Sequence, residues 1–329
     1  MAEAATESSH GLKTGIVMDP ISGIKTYKDS SFAMLLEAQR RGHMLYYMEP
    51  GDLYAEDGRV FANMHELEVR DNTNDWFTLS ASRARPLDEL DIVLMRRDPP
   101  FDMDYIYATY MLELAEKAGT LVINRPQSLR DANEKFFINY FPQCCVPMLI
   151  SSNSDLIREF VARNGHCVVK PLDGMGGESV FQVSDTDLNL NVILETITRD
   201  DARPVMAQKF IDEISSGDKR ILMVNGEPVP YALARFPGEG DFRGNLAKGG
   251  SSKGVPLSER DRWICSQVGP ELKRRGILFA GLDVIGDWLS EVNVTSPTCI
   301  RELDEEFGLN IAAQLFDAAE EHCRKQCAS

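Results

Sequence analysis

The sequence predicts an α/β fold for about the first 125 of its 329 residues and an α+β fold for the remainder. In the first part, short and almost continuously apolar segments alternate with amphipathic helices, which is typical of an open parallel sheet covered by helices. In the second part, segments of alternating polarity are joined by hairpin signals, of which Asn225-Gly226 is the strongest. The length suggests roughly two or three domains.

The first elements are assigned from the spacing of apolar residues. Residues 1–11 are small and polar, and we expect a flexible tail there. Strands are predicted at residues 14–18, 43–48, 91–95 and 120–124, with helices at 30–41 and 105–117. Residues 50–88 are polar and weakly periodic, so they receive no assignment, although they are a candidate for contacts between subunits.

The later elements have clearer boundaries. We predict helices at residues 128–140, with Ser128 as the N-cap, and at 154–163, 258–275 and 308–326. Strands are predicted at residues 167–171, 205–211, 219–224, 229–236, 277–285 and 288–295. These strands should form antiparallel sheets.

Composition excludes several classes of function. With 35 Lys and Arg against 51 Asp and Glu, the net charge is −16, which disfavours binding to nucleic acids or anionic membranes. No apolar stretch of about 18 residues is present, and the N-terminus lacks the features of a signal peptide. Seven irregularly spaced cysteines favour a cytoplasmic protein with reduced thiols.

A lysine and a glycine-rich loop form the first candidate site. Lys170 ends a predicted strand, and Gly174, Gly176 and Gly177 follow within a few residues. Glycines allow backbone N–H groups to converge on phosphate oxygens, and the lysine adds a positive charge. The pattern is neither that of a Walker A loop nor that of a dinucleotide fingerprint. The alternative is a tight turn with a surface lysine.

A hairpin rich in oxygen ligands is the second candidate site. Glu291 and Asn293 are two residues apart on a strand and therefore share a face. Asp283 joins that face only if it pairs with Glu291, which a strict two-residue Gly286-Asp287 turn would prevent. We therefore predict an odd-length connection, from a three-residue loop or a bulge. The three side chains would then suit Mg²⁺, the alternative being a solvated acidic edge.

Basic residues surround a long glycine-rich loop. Arg220 and Arg235 lie on two strands that the hairpin signal pairs, and residues 236–256 follow without apolar periodicity. Such a segment is either a functional lid or a disordered linker. Arg243, Asn245 and Lys248 lie where a lid would bring charge to a substrate.

Taken together, these residues resemble the ATP-grasp carboxylate–amine ligases, and among them the bacterial glutathione synthetases, from about residue 14 to 319. The segments that carry the resemblance are GIVMDPI (15–21), KDSSFAMLLEAQRRG (28–42), MRRDPPFD (95–102), INRPQSLRDANEK (123–135), KPLDGMGG (170–177), GDKRILMVNGEPVPYALAR (217–235), RGNLAKGG (243–250) and EVNVTSPTCIRE (291–302). The resemblance implies an ATP-grasp fold preceded by an open parallel-sheet pre-ATP-grasp domain at residues 12–125. The ATP-grasp region would be 126–329, with an ATP-binding lid subdomain at about 126–210 and a catalytic subdomain at about 211–320.

The resemblance also implies roles for individual residues. Lys135 and Lys170 would reach the ATP phosphates, Gly174, Gly176 and Gly177 would close over them, and Asp218 would face the ribose. Gln208, Lys209, Phe210 and Ile211 would form the strand beside the adenine. Asp283, Glu291 and Asn293 would hold Mg²⁺, with Mn²⁺ as an alternative. Three arginines would be catalytic. Arg220 and Arg235 would stabilise the transferred phosphoryl group and the charged intermediate, and Arg243 would act from the lid.

For the substrates, we predict contacts at both ends of the chain. The start of the first helix, at Ser30, would face a substrate carboxylate because a helix N-terminus favours anions, although the residues there also suit a simple N-cap. Arg96 and Arg97 follow a strand at its carboxyl end, where open sheets bind ligands, and we expect one of the two, with Arg96 as the candidate, to lie near the dipeptide. Ser296 and Thr298 would donate hydrogen bonds to a substrate carboxylate, and Asn293 would contribute as well.

The implied reaction joins γ-glutamylcysteine to glycine with ATP as co-substrate, through an acyl phosphate. The implied partners are these small molecules and further copies of the chain, with a tetramer suggested by the family. Two alternatives remain at this point. One is another ligase of the same kind, of the D-alanine–D-alanine or glutamate-adding type, and the other is a non-catalytic ATP-binding scaffold.

Overall fold

The computed structural model describes residues 11–174, 177–236 and 251–327 of the chain. Strands come first in the element order: β1 (Lys13–Val17), β2 (Met44–Met48), β3 (Leu53–Glu56), β4 (Arg59–Val69), β5 (Phe77–Leu79), β6 (Arg83–Pro86), β7 (Ile92–Met95), β8 (Leu121–Ile123), β9 (Met148–Ser151), β10 (Cys167–Pro171), β11 (Phe181–Val183), β12 (Val205–Lys209), β13 (Asp218–Val224), β14 (Glu227–Phe236), β15 (Ser251–Pro256), β16 (Phe279–Ile285) and β17 (Trp288–Asn293). The α-helices are α1 (Ser30–Arg40), α2 (Met103–Lys117), α3 (Pro126–Asp131), α4 (Ser154–Asn164), α5 (Leu190–Thr198), α6 (Glu259–Arg275), α7 (Ile300–Phe307) and α8 (Ile311–Cys327).

The N-terminal sheet has the predicted parallel centre and an antiparallel extension that was not predicted. Strands β2, β1, β7 and β8 lie side by side and pair in parallel. Residues 50–88, which the sequence left unassigned, form β3 to β6, and β4 pairs antiparallel with β2. The sheet is therefore mixed, with eight strands in total.

The remaining strands form two antiparallel sheets, as the alternating pattern predicts. One has four strands in the order β11-β10-β12-β9, and its apolar face packs with α4 and α5. The other has five strands in the order β15-β14-β13-β16-β17. Asn225-Gly226 turns β13 into β14 with positive φ at both residues, which confirms the predicted hairpin.

One helix prediction was wrong. Ser128 does not cap a helix over residues 128–140, because Pro126 occupies the first turn of α3 and the Ser128 hydroxyl donates to the Arg275 carbonyl. A 3₁₀ segment, Phe136–Tyr140, follows separately. The C-terminal helix predicted over 308–326 is confirmed as α8, which begins at Ile311, and the sequence did not predict α7 before it, whose C-cap is Gly308 in the left-handed conformation.

Two buried clusters join the N-terminal sheet to the five-stranded sheet, and a third cluster lies between the four-stranded sheet and helices α4 and α5. One buried cluster combines residues of the N-terminal sheet with Ile221, Leu282 and Val292 of the five-stranded sheet. A second combines α1 and the other face of the N-terminal sheet with α7 and α8. The cysteines Cys144, Cys145, Cys167, Cys265 and Cys299 are buried thiols without a disulfide bond. Of the helices in the described ranges, none has the length and apolarity needed to cross a bilayer.

Candidate functional site

A cavity of about 440 Å³ lies between the four-stranded and the five-stranded sheets, within the usual size range of small-molecule sites. The structure brings most of the predicted site residues to its wall. They are Lys135, Lys170, Gly174, Gly177, Gln208, Lys209, Phe210, Ile211, Asp218, Arg220, Arg235, Asp283, Glu291, Asn293, Ser296 and Thr298.

The hairpin of β16 and β17 places its three oxygen-bearing side chains on one face. The turn at Gly286-Asp287 has two residues, with Ile285 paired to Trp288 and Val284 to Leu289. The register then shifts, so that Asp283 pairs with Glu291. Ser290 is the extra residue of this bulge, and its hydroxyl donates to the Asp283 carbonyl at 3.1 Å. The predicted pairing is confirmed, and it is the bulge that produces it.

Arginines from the two neighbouring strands surround Asp283. Arg220 lies opposite Asp283 across β13 and β16, and its guanidinium donates two hydrogen bonds to the carboxylate. Arg235 bridges two carboxylates, with Nε 2.9 Å from Asp218 Oδ1 and Nη2 3.1 Å from Asp283 Oδ2. Burial disfavours the charge on Asp283, but the two arginines outweigh burial and hold the pKa of this carboxyl below its usual range.

Two lysines from different parts of the chain meet at Glu291. Lys135 Nζ and Lys170 Nζ each lie 3.6 Å from Glu291 Oε1. Lys135 Nζ also donates to the Gly174 carbonyl at 2.5 Å, so it touches the glycine loop. Burial opposes the charge of Glu291, but the lysines lower the pKa of this carboxyl. Burial lowers the pKa of Lys170, and Glu291 opposes that change.

The donor set of the hairpin fits a magnesium ion. Asp283 and Glu291 supply carboxylate oxygens, which are the hard ligands that Mg²⁺ prefers. Asn293 lines the cavity from the same face as Glu291, and its Nδ2 donates to the Gly281 carbonyl at 3.3 Å, which leaves Oδ1 as the atom available to a metal.

The strand β12 and the residues after it form the opposite wall. Phe210 stacks on His166 with ring centroids 4.1 Å apart, so an apolar aromatic surface lies beside the cavity. The Gln208 side-chain amide nitrogen is buried and has no hydrogen-bond partner among the described residues. A buried amide without a partner is unfavourable, so a ligand acceptor here would be stabilising. This wall suits a flat heteroaromatic group.

Ser30 and Arg96 do not reach the cavity wall. Ser30 is buried at the start of α1, and its hydroxyl accepts a hydrogen bond from the Ile300 backbone N–H at 3.1 Å. Arg96 is also buried and donates to Ser31 Oγ and to the Pro297 carbonyl, each at 2.9 Å. Their predicted contact with substrate stays a prediction, and the structure shows them joining β7 and α1 to the segment that carries Ser296.

Several predicted residues lie outside the described ranges. These are Gly176 in the glycine loop and Arg243, Asn245 and Lys248 in the loop at 236–256. Their roles stay predictions.

Among the polar residues of the wall, Asp98, Glu134 and Thr295 were not singled out from the sequence. A signal was present for each. Thr295 continues the period-2 series of Glu291 and Asn293, Glu134 directly precedes Lys135, and Asp98 follows the arginines at the carboxyl end of β7.

Two family models together match most of the chain. The family model described as "Prokaryotic glutathione synthetase, N-terminal domain" matches residues 12–130, and "Prokaryotic glutathione synthetase, ATP-grasp domain" matches residues 134–308. A glutathione synthetase of Pseudomonas aeruginosa is 57% identical over 307 residues, which are 93% of this chain and 97% of that protein.

Solved structures share the fold at much lower identity. The D-cycloserine synthetase DcsG superimposes with a TM-score of 0.66 at 14% identity, over 93% of this chain and 99% of that one. The ATP-grasp ligase PsnB gives a TM-score of 0.62 at 19% identity, over 94% and 99% of the two chains. The fold is that of the ATP-grasp ligases, and the chain belongs to the prokaryotic glutathione synthetase family.

Proposed function

We propose that this chain is an ATP-dependent ligase that joins γ-glutamylcysteine to glycine, giving glutathione, ADP and phosphate. Family membership along nearly the whole chain supports this activity. The observation that carries it at the level of chemistry is the set of four cations, Lys135, Lys170, Arg220 and Arg235, on the wall of one cavity beside Asp283 and Glu291. Such a wall neutralises phosphate charge without any nucleophile from the protein.

The positions of the four cations support separate roles for the lysines and the arginines. Lys135 and Lys170 belong to the region of the glycine loop, so we assign them to the phosphates of ATP, together with Gly174, Gly177 and the predicted Gly176. Arg220 and Arg235 lie beside Asp283, and we assign them to the phosphoryl group in transfer. The wall at Gln208, Lys209, Phe210 and Ile211 would take the adenine, with Asp218 beside the ribose.

Asp283, Glu291 and Asn293 would hold the magnesium ion, or manganese in its place. When bound, the metal neutralises charge on the nucleotide phosphates. The residues of the chain position the reactants: the cysteinyl carboxylate attacks the γ-phosphorus, and the resulting acyl phosphate is then attacked by the glycine amine, which releases phosphate. Since water would hydrolyse an acyl phosphate, the reaction needs a closed cavity, and we assign that closure to Arg243 and the loop at 236–256.

The division of the chain follows the same assignment. We propose a substrate domain at residues 12–125, an ATP-binding subdomain at about 126–210 and a catalytic subdomain at about 211–320. Ser296 and Thr298 reach the cavity from the segment after β17, so we assign them to a substrate carboxylate, with Ser30 and Arg96 supporting that segment from behind.

The test is ADP release with γ-glutamylcysteine and glycine, each omitted in turn, with glutathione measured in parallel. We expect ADP and glutathione in equal amounts, and only when both substrates are present. D-Alanine or glutamate replacing the expected substrates would instead reveal a D-alanine–D-alanine or glutamate-adding ligase. ATP binding without ADP release under any of these conditions would indicate a non-catalytic scaffold.

We further propose that the protein is cytoplasmic and assembles into a homotetramer. Helix α2 supports the assembly, because Met103, Tyr107, Tyr110 and Leu114 recur at helical spacing on one face and are all exposed. Apolar residues in such a row are typical of a surface that another subunit covers. A second copy of this chain is the partner we assign to it.

A further inference from the structure

The side chain of Asn124 joins three strands at the carboxyl end of β8. Asn124 follows β8 directly and is 3% exposed. Its Nδ2 donates to the backbone carbonyls of Phe279 at 2.6 Å and of Val294 at 2.7 Å, and its Oδ1 accepts from the Phe279 N–H at 2.9 Å. Both amide donors are therefore used on the hairpin of β16 and β17, although none of the assignments above involves this residue.

The amide lies where the ladder of β16 and β17 would otherwise continue. The last pair of the ladder is Gly281 with Asn293. Two residues further, the same register would pair Phe279 with Thr295. The amide of Asn124 instead takes both backbone groups of Phe279, and β17 ends at Asn293. The side chain thus supplies hydrogen bonds that a further strand residue would have made, and the chain after β17 leaves the sheet.

The segment that leaves the sheet at this point is the one assigned to a substrate carboxylate. Residues 295–298 all line the cavity. The hydroxyls of the first two residues donate to carboxylates outside the five-stranded sheet, and the Pro297 carbonyl accepts from Arg96 Nη2 at 2.9 Å. These contacts hold the segment along its length. Asn124 fixes the point at which it begins, through the carbonyl of Val294.

We propose that Asn124 is a positioning residue for the ligation reaction, because its amide ends the ladder at Asn293 and so directs residues 295–298 into the cavity. There the hydroxyls of Ser296 and Thr298 meet the substrate carboxylate. This inference rests on the proposed function. Asn124 is not part of the cavity wall, so it acts on the substrate through the backbone of the segment.

The proposed metal ligands should not depend on this amide. Asp283 pairs with Glu291 inside the ladder. Asn293 pairs with Gly281, and its Nδ2 donates to the Gly281 carbonyl at 3.3 Å. The ladder itself therefore holds this face, and only the segment beyond it depends on Asn124. Loss of the amide should weaken substrate binding and leave nucleotide and metal binding unchanged.

The test uses the full-length variants Asn124→Asp and Asn124→Ser. Asn124→Asp keeps the size of the side chain and an acceptor for the Phe279 N–H, but the ionised carboxylate has no donor for the two carbonyls. Asn124→Ser is milder, because its hydroxyl and a water molecule can serve the same backbone groups. The matched control is Gln39→Glu, since the Gln39 amide also bonds both backbone groups of one residue, Val69, and neither residue lines the cavity.

Dissociation constants are measured by calorimetry for a non-hydrolysable ATP analogue, and for glycine and γ-glutamylcysteine with the analogue present. We expect Asn124→Asp to weaken at least one substrate by about 10-fold to 100-fold, the range for hydrogen bonds to a charged group. Asn124→Ser should show a smaller loss for the same substrate. The affinity for the ATP analogue and its dependence on Mg²⁺ should not change, and the control should behave as the wild type.

A double-mutant cycle tests whether Asn124 acts through the segment. Thr298→Val removes one of the hydroxyls assigned to the substrate carboxylate. If the amide acts by placing that hydroxyl, Asn124→Asp should cost less substrate affinity in the Thr298→Val background than in the wild type. Additive losses would show that the amide acts on the substrate by another route and would overturn the proposal.

Unchanged affinity for both substrates in both Asn124 variants would also overturn it. So would an equal loss for the ATP analogue or a changed dependence on Mg²⁺, which would show that the amide supports the whole hairpin. Failure of both variants to fold, measured by circular dichroism, would assign the amide to the fold alone. Since calorimetry needs no turnover, a wild type that binds both substrates without forming glutathione would refute the proposed function and leave the positioning result standing.

Discussion

The substitution Glu291→Gln perturbs the point at which two lysines and the proposed metal ligands meet. Glu291 Oε1 lies 3.6 Å from both Lys135 Nζ and Lys170 Nζ. At an effective dielectric constant of about 20, each pair contributes a Coulomb energy of about 4–5 kcal/mol before desolvation. Removing the carboxylate leaves two ammonium groups facing each other, and we expect a loss of about 2–3 kcal/mol in the stability of the ligand-free protein. Lys170 can release its proton, which limits this loss, because burial already lowers its pKa.

Two assays measure the effect of Glu291→Gln, one on stability and one on activity. The thermal unfolding midpoint of the ligand-free variant should fall by roughly 5 °C, and an ATP analogue should restore most of the difference because its phosphates neutralise the lysines. Mg²⁺-dependent ADP release should fall at least about 100-fold. The control Glu227→Gln removes an exposed pair with Lys273 and should cost less than about 1 kcal/mol. Wild-type ADP release by Glu291→Gln, with an unchanged Mg²⁺ requirement, would refute the reasoning.

Three further changes test separate parts of the structure. Deleting Ser290 removes the extra residue of the bulge and leaves Glu291 opposite Asp283 in a regular ladder, so ADP release should be retained, as it should be in Ser290→Ala; loss of ADP release in a folded deletion variant would contradict the register argument. Hydrogen bonds from Arg40 above all, and from Arg41, lower the pKa of Glu37 to about 2 against the opposing effect of burial. The ionised Glu37 carboxylate stabilises the fold above its unfolded pKa of about 4.5, and this stabilisation is lost as the pH falls through about 2. At pH 7, Glu37→Gln should therefore lower the free energy of unfolding by about 2–3 kcal/mol, as measured by thermal unfolding, and this difference from the wild type should vanish near pH 2. A difference that persists near pH 2 would exclude the charge of Glu37 as its cause. Tyr110→Lys on the exposed face of α2 should shift the proposed tetramer to smaller species in light scattering without loss of helix content, and an unchanged mass would exclude α2 from the proposed interface.

The sequence predicted which residues pair in the hairpin of β16 and β17, but it did not predict whether a longer loop or a bulge produces that pairing. Because Asp283 and Glu291 had to share a face, the hairpin required one extra residue, but the sequence did not identify that residue. Packing supplies the answer, because Leu289, Val292 and Val294 all lie in the same buried cluster. Leu289 and Val292 are three residues apart, so a regular strand would place them on opposite faces, and the bulge at Ser290 resolves the conflict.

The same effect explains why residues 50–88 received no assignment. In β4 the residues Val60, Ala62 and Met64 are buried in one cluster, and Leu67 and Val69 in the other. The apolar spacing therefore changes from two to three within one strand, at the point where its neighbours change from β3 and β6 to β2 and β5. A single-period pattern cannot represent a strand that contributes to two cores, so tertiary packing decided this region.

Site residues could be predicted from the sequence where a single strand or loop carries them, but not where distant segments of the chain meet. Lys170 and Glu291 follow from local patterns. The contacts of Thr295 and Ser296 with Glu134 and Asp98 depend on how the segment after β17 packs, and no local spacing contains that information.

The central claim is that the cavity activates a carboxylate by phosphoryl transfer from ATP. The most direct measurement is isotope transfer from γ-glutamylcysteine labelled with ¹⁸O in its cysteinyl carboxylate, with glycine and ATP present. Attack of that carboxylate on the γ-phosphorus, followed by displacement by glycine, moves one labelled oxygen into the phosphate released with each glutathione. Phosphate without label, formed at the same rate as glutathione, would contradict the account.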